Sequence, residues 1–156
     1  MLRRFSGSGF PANRLLLVST AIILSLLSLS ATAAPRNYLE SLVMLEGASY
    51  WTLNCSQYIC AAKRHRDCMA RNFWEHGCDG DAFVVQDVPS FDVIDNSKLL
   101  PGDVAVFHGV HVAAFIGNRT WMDSDYRHGG VGIMRPNRRP GGWFYGEVKI
   151  LRWKEQ

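Results

Sequence analysis

Apolar positions fall into three textures along the chain. Leu15 to Leu29 is an apolar run without a charge, thinned by three serines and Thr20. From Asn37 to Glu75 apolar residues recur at helical spacing, as they do on segments with one buried face. From Leu99 onward they gather in short β-branched and aromatic runs separated by Gly, Pro, Asn and Asp, the pattern of strands and turns.

The helical stretch divides at its polar caps and glycines. Asn37 to Glu46 predicts a short helix with Leu39, Leu42, Val43 and Leu45 on a broad apolar face, ended by Gly47-Ala48-Ser49. Ser56 to Arg66 predicts a second, with Asn54 placed to accept backbone N–H groups at its start. Tyr58, Ile59 and Ala62 share one side of it, and Lys63, Arg64 and Arg66 crowd its last turn, where cations suit the helix dipole. Asp67 to Glu75 reads as a third helix stopped by Gly77. Asp79-Gly80-Asp81 marks a turn, and the stretch to Lys98 reads as irregular with one strand at Phe83 to Val85. Pro101-Gly102-Asp103 is a tight turn. Val104 to Phe107 and His111 to Ile116, linked by His108-Gly109-Val110, predict a hairpin. Thr120 to Met122, Gly130 to Met134 and Glu147 to Trp153 complete the strands. Helices first and antiparallel strands second define an α+β domain with its helices packed on the sheet.

The first texture changes what belongs to that domain. Arg3, Arg4 and Arg14 precede the apolar run and Ala31-Thr32-Ala33 follows it, the order of a secretory signal peptide. Residues 1–33 are therefore read as an export signal and 34–156 as the domain, with membrane contact only if the segment is retained as a span. Export implies a periplasmic or extracellular location. Without Arg3, Arg4 and Arg14, the 17 Lys and Arg residues fall to 14, equal to the 14 Asp and Glu. A neutral domain lacks the electrostatic footprint of a nucleic-acid binder. Its size allows one domain with a modest core, and a monomer is expected.

Cys55, Cys60, Cys68 and Cys78 are all the cysteines. An exported chain meets oxidising conditions in which cysteines pair. No C-x-x-C pair is present, so a structural zinc site is not expected. With Cys55 kept free, one bridge at most forms among the other three. Cys68 and Cys78, flanking the third helix, are the favoured pair, and Cys60 suits a buried thiol.

Asn54-Cys55-Ser56 places a thiol at the first turn of a helix, where unsatisfied N–H groups stabilise a thiolate. Taken alone, Cys55 reads first as a disulfide partner or a buried core thiol. His111 opens a strand fifty-six residues later, and alternation puts it on one face with Ala113 and Phe115. A helix amino end packed on such a sheet can bring sulfur and imidazole together. An acceptor for the other ring nitrogen completes the set. Asp123 is the best placed. Asp125 shares its parity but sits where the chain is expected to have left the sheet.

Three segments extend this reading: Tyr50 to Tyr58 (YWTLNCSQY), Leu100 to Phe107 (LPGDVAVF) and His111 to Gly117 (HVAAFIG). In order and spacing they resemble the signature blocks of the NlpC family of cell-wall cysteine peptidases. Asn54 stands where that family has Asp, Gln57 where it has Gly, Ala113 where Gly is common, and Asp123 where His, Asn or Gln is commoner. The resemblance implies a papain-like fold and hydrolysis of amide bonds in peptidoglycan peptide stems, without metal or organic cofactor. It implies Cys55 as nucleophile, His111 as base and Asp123 as orienting acid, with Tyr50 and Ser56 beside the substrate. An amidase toxin, a non-peptidoglycan acyl hydrolase and a non-enzymatic wall-binding module are the alternatives. Most of the five tryptophans are expected in the core or at its rim, with a glycan cleft as the alternative. Arg135 to Arg139 is expected in a solvated loop, with contact to acidic peptide stems as the alternative.

Overall fold

Asn37 opens the first helix, α1 (Tyr38–Met44), by accepting the Glu40 N–H at 2.9 Å. This computed structural model describes residues 37–137 and 139–154, so the expected export segment lies outside the described residues. The second helix, α2 (Cys55–Lys63), starts one residue earlier than its hydrophobic pattern suggests. Asn54 Oδ1 accepts the Gln57 N–H at 3.0 Å while Gln57 Oε1 accepts the Asn54 N–H at 3.1 Å, a reciprocal capping box. It also stops earlier. Arg64 is left-handed (φ 58°), and His65 N–H donates to the Cys60 carbonyl at 2.9 Å. That turn leaves Arg64 and Arg66 beyond the helix rather than in its last turn. The third helix, α3 (Ala70–His76), ends at left-handed Gly77, as expected.

Six strands follow: β1 (Ala82–Val88), β2 (Val104–Phe107), β3 (His111–Gly117), β4 (Thr120–Asp125), β5 (Gly130–Ile133) and β6 (Val148–Trp153). All neighbours are antiparallel, in the order β1-β6-β2-β3-β4-β5. β1 is longer than its apolar residues indicate because it pairs with β6 from Ala82 to Val88, with an irregularity between Val84 and Gln86. Between it and β2, single 3₁₀ turns form at Phe91–Val93 and Asn96–Lys98. Asn118 and Arg119 both have positive φ (49° and 58°), the geometry of a two-residue hairpin turn between β3 and β4.

Alternation gives the sheet two buried faces. Val104, Val106, Val112, Ala114, Met122 and Leu151 pack with Leu42, Tyr58, Ile59 and Phe73 of the helices. Ala105, Phe107, Ala113, Phe115, Trp121 and Ile150 form a second core with Ile94, Leu99 and Phe144. The architecture is the α+β arrangement that the sequence predicts. Among the described residues no helix is long and apolar enough to cross a membrane.

Cys68 and Cys78 are joined across α3 with their Cα atoms 5.7 Å apart, while Cys55 and Cys60 are free and buried. Both cysteines sit just outside the helix, where left-handed Gly77 and Cys78 turn the chain back. Replacing both by alanine is expected to lower the unfolding free energy by about 2–3 kcal/mol, the entropy of a loop this short. Urea denaturation under oxidising conditions measures it, and an unchanged stability would deny the bridge a structural role.

Candidate active site

Cys55 is the first residue of α2, and its side chain is buried. The preceding loop is held by β-type contacts: Tyr50 N–H donates to Gly129 O at 3.1 Å, and Val131 N–H to Ala48 O at 2.9 Å. Gly130 permits this approach, since a Cβ there would lie 2.0 Å from the Ala48 oxygen. Ser124 in β4 donates its hydroxyl to the Leu53 carbonyl. Two strands thereby fix the entry to α2, and with it the position of the sulfur.

His111 opens β3 and is fully buried. Its Nε2 lies 2.8 Å from Asp123 Oδ2. The register explains the meeting: Asp123 pairs with Ala113, two residues from His111 on the same face, so the two side chains lie diagonally across neighbouring strands. Asp123 is buried as well. The other ring nitrogen, Nδ1, is buried without a hydrogen bond of normal length and angle, and the Cys55 sulfur lies near enough to bias its ionisation. Imidazole thus stands between carboxylate and thiol.

Burial opposes a charge on this ring, but Asp123 first and Cys55 second outweigh it and hold the imidazolium up to about 9, against 6.5 for a free side chain. A histidine raised by folding contributes stability that is complete below its unfolded value and is lost as pH rises through its folded value. Conformational stability is therefore expected to fall between about pH 6.5 and about pH 9. His111→Gln should lack that component. Denaturation of both proteins across the window measures it, and parallel curves would show that His111 is not held protonated.

Asp125 departs from expectation. β4 does not end before it, because Asp125 pairs with Gly130 of β5 and the strand continues to that point. It is buried, but its oxygens are taken by the Arg127 guanidinium and backbone N–H. Burial pushes its carboxyl up, yet the bonds from Arg127 prevail and hold it below the usual range. Ser56 is also buried, and its hydroxyl donates to Asn54 Oδ1 at 3.1 Å, a bond within the helix cap rather than toward a cleft. Tyr50 is half-buried on the loop before Cys55. Burial first, and then the Cys55 sulfur nearby, raise its phenol above the ordinary value.

The structure adds residues that pattern did not single out. Trp143 stacks on the His111 ring with centroids 4.7 Å apart, and Phe144 meets the ring edge-on at 5.1 Å. Tyr126 contacts both Trp143 and Tyr50, at 5.3 and 5.9 Å, and Arg127 lies 5.2 Å over the Trp143 ring. A row of aromatic rings therefore covers the imidazole. Such a cover excludes water and fixes the ring plane, which strengthens every charge interaction beneath it. Gly141-Gly142-Trp143-Phe144-Tyr145-Gly146 is the only signal of this in the chain: bulky aromatics carried on a turn between glycines.

Compared with known proteins, the sequence matches no family model, and neither curated proteins nor solved structures produce a match.

Proposed function

We propose that this chain is a cysteine amide hydrolase of papain-like, NlpC-type architecture that cleaves peptidoglycan peptide stems after export. One observation carries the reading: a buried histidine is bonded to Asp123 through Nε2, leaves Nδ1 without a hydrogen-bond partner, and stands near enough to a cysteine at the first position of a helix for the two to interact. Structural roles account poorly for that set. The large majority of buried side-chain polar atoms have a hydrogen-bond partner, and Nδ1 of His111 does not.

The chemistry follows from the arrangement. His111 accepts the thiol proton at Nδ1, and the Cys55 thiolate attacks the amide carbonyl carbon. The developing oxyanion meets the Cys55 backbone N–H, which has no acceptor within the helix at that position. The imidazolium gives its proton to the leaving amine, so the C–N bond breaks and a thioester remains. His111 then draws a proton from water, hydroxide attacks the thioester, and the thiolate leaves with the acid released. Asp123 holds the tautomer and stabilises the imidazolium throughout. Tyr50, beside Cys55, borders the substrate path. The choice of stem peptides rests on the three segments that resemble cell-wall peptidases.

Mass spectrometry of purified muropeptides incubated with the full chain tests this reading. Products are expected in which one stem amide has gained a water. Intact muropeptides beside cleavage of some other amide or ester would remove peptidoglycan as the substrate.

A further inference from the structure

A second group of reactive side chains lies buried away from Cys55, His111 and Asp123. Cys60 of α2, His65 just beyond that helix, and Cys68 and Cys78 on either side of α3 bring three sulfurs and a ring nitrogen within 4.8 Å of one another. Cys60 and Cys78 are wholly buried and Cys68 nearly so. A disulfide needs only Cys68 and Cys78. It leaves unexplained why a third thiol and an imidazole are directed at the same point.

The contacts around the group follow the logic of a metal site. Cys68 N–H donates to Cys60 Sγ at 3.2 Å, a bond that favours a thiolate. His65 Nδ1 lies 3.5 Å from Cys78 Sγ and 2.7 Å from the Arg66 carbonyl. Its Nε2 lies 2.7 Å from Asp81 Oδ2, the carboxylate–histidine pairing that orients metal-bound imidazoles. Trp153, with its ring centroid 5.4 Å from that of His65, closes one side. Three thiolates and one imidazole are a preferred ligand set for structural zinc. At Zn–S of about 2.3 Å and Zn–N of about 2.0 Å, tetrahedral ligands stand roughly 3.3–3.8 Å apart. His65 Nδ1 and Cys78 Sγ, 3.5 Å apart, already stand at that separation. No two of the four atoms are more than 4.8 Å apart, the two bonded sulfurs having to part on reduction.

We propose that Cys60, His65, Cys68 and Cys78 form a zinc site when the Cys68–Cys78 disulfide is reduced. The same four residues are then closed by a disulfide in oxidising surroundings and by zinc in reducing ones. A dithiol reductant gives the bridge two electrons and two protons and becomes a disulfide itself. Zn²⁺ next displaces the three thiol protons and the Nδ1 proton that faces the Arg66 carbonyl, releasing them to solvent, and takes the lone pair this leaves while Nε2–H donates to Asp81. Counting cysteine pairs misses such a site, because the histidine enters only through the left-handed turn at Arg64.

The test uses the full chain reduced with a phosphine, which does not compete as a thiol ligand, and zinc or cobalt alone. One equivalent of Zn²⁺ is expected, with an X-ray absorption first shell of three sulfurs and one nitrogen. Co²⁺ should give the intense visible bands of a tetrahedral thiolate complex. Cys60→Ser and His65→Gln should each weaken zinc binding by ~100-fold or more, and Asp81→Asn by ~10-fold, typical of a lost outer partner. Cys55→Ala should bind zinc as the parent does. No uptake by the reduced chain, any other first shell, or uptake that survives Cys60→Ser but not Cys55→Ala overturns the proposal. The absorption spectrum decides even where a variant fails to fold.

Discussion

Alanine at Cys55 is expected to lower turnover on muropeptides by ~10⁴-fold or more, the usual cost of removing a nucleophile whose partners act as a unit. His111 would keep Asp123 but lose the atom it activates. The cover of Trp143 and Tyr126 and the capping box at Asn54 do not involve the sulfur, so the fold should persist. Circular dichroism and denaturation separate loss of chemistry from loss of structure. Iodoacetamide should modify Cys55 in the parent ahead of Cys60, which is wholly buried within α2 and whose thiol burial pushes up. A fully active Cys55→Ala protein would end the cysteine-hydrolase reading.

Asp123→Ala should reduce turnover by ~10²-fold or more. The carboxylate is the bonded partner of His111 Nε2, and it is the foremost influence that raises the imidazolium against burial. Its loss should also move the alkaline fall of the rate below about pH 9, which a purely structural role for the residue would not do. Asp123→Asn should keep part of the activity, because an amide oxygen still accepts the imidazole proton. Asp125→Ala should cost turnover much less and stability more, since it strips Arg127 of its buried acceptor. Rates and pH profiles of the three variants on one muropeptide decide the assignment. A failed Asp125→Ala beside an unimpaired Asp123→Ala would transfer the orienting role to Asp125.

Elements with a local cause were legible in the sequence. Asn37, Asn54 and Gly77 mark helix ends with side chains or φ values that act within a few residues. The hairpin of β2 and β3 follows from two β-branched runs and a short link. What escaped depends on partners distant in the chain. Val84 pairs with Leu151 and Val88 with Val148 across β1 and β6, so the length of β1 is set by a strand some sixty residues away. The same applies to Asp125, kept in the sheet by Gly130, whose own place depends on the loop before Cys55. Alternation correctly grouped His111 with Ala113 and Phe115, but that face carries the second core, whereas the helices pack on Val112 and Ala114. Thiol and imidazole meet at the end of the strand, a relation that periodicity does not express. The Cys68–Cys78 bridge was legible as the favoured pair, since it spans one short helix with a reversing turn.

The place of β6 bears on how the protein is made. A chain emerging amino end first presents β1 and β2 early, yet their common neighbour, Val148–Trp153, arrives last. Until then β1 has no partner strand and β2 carries unpaired backbone along one edge, and Phe107 and Ala105 lack the Val148 and Ile150 that complete their layer. Vectorial synthesis therefore completes the native sheet only once β6 has emerged. Closure waits for β6 and then joins contacts of high sequence separation. A nascent polypeptide in that condition has not yet finished the layer of Phe107, Val148 and Ile150 that lies beside the His111 ring.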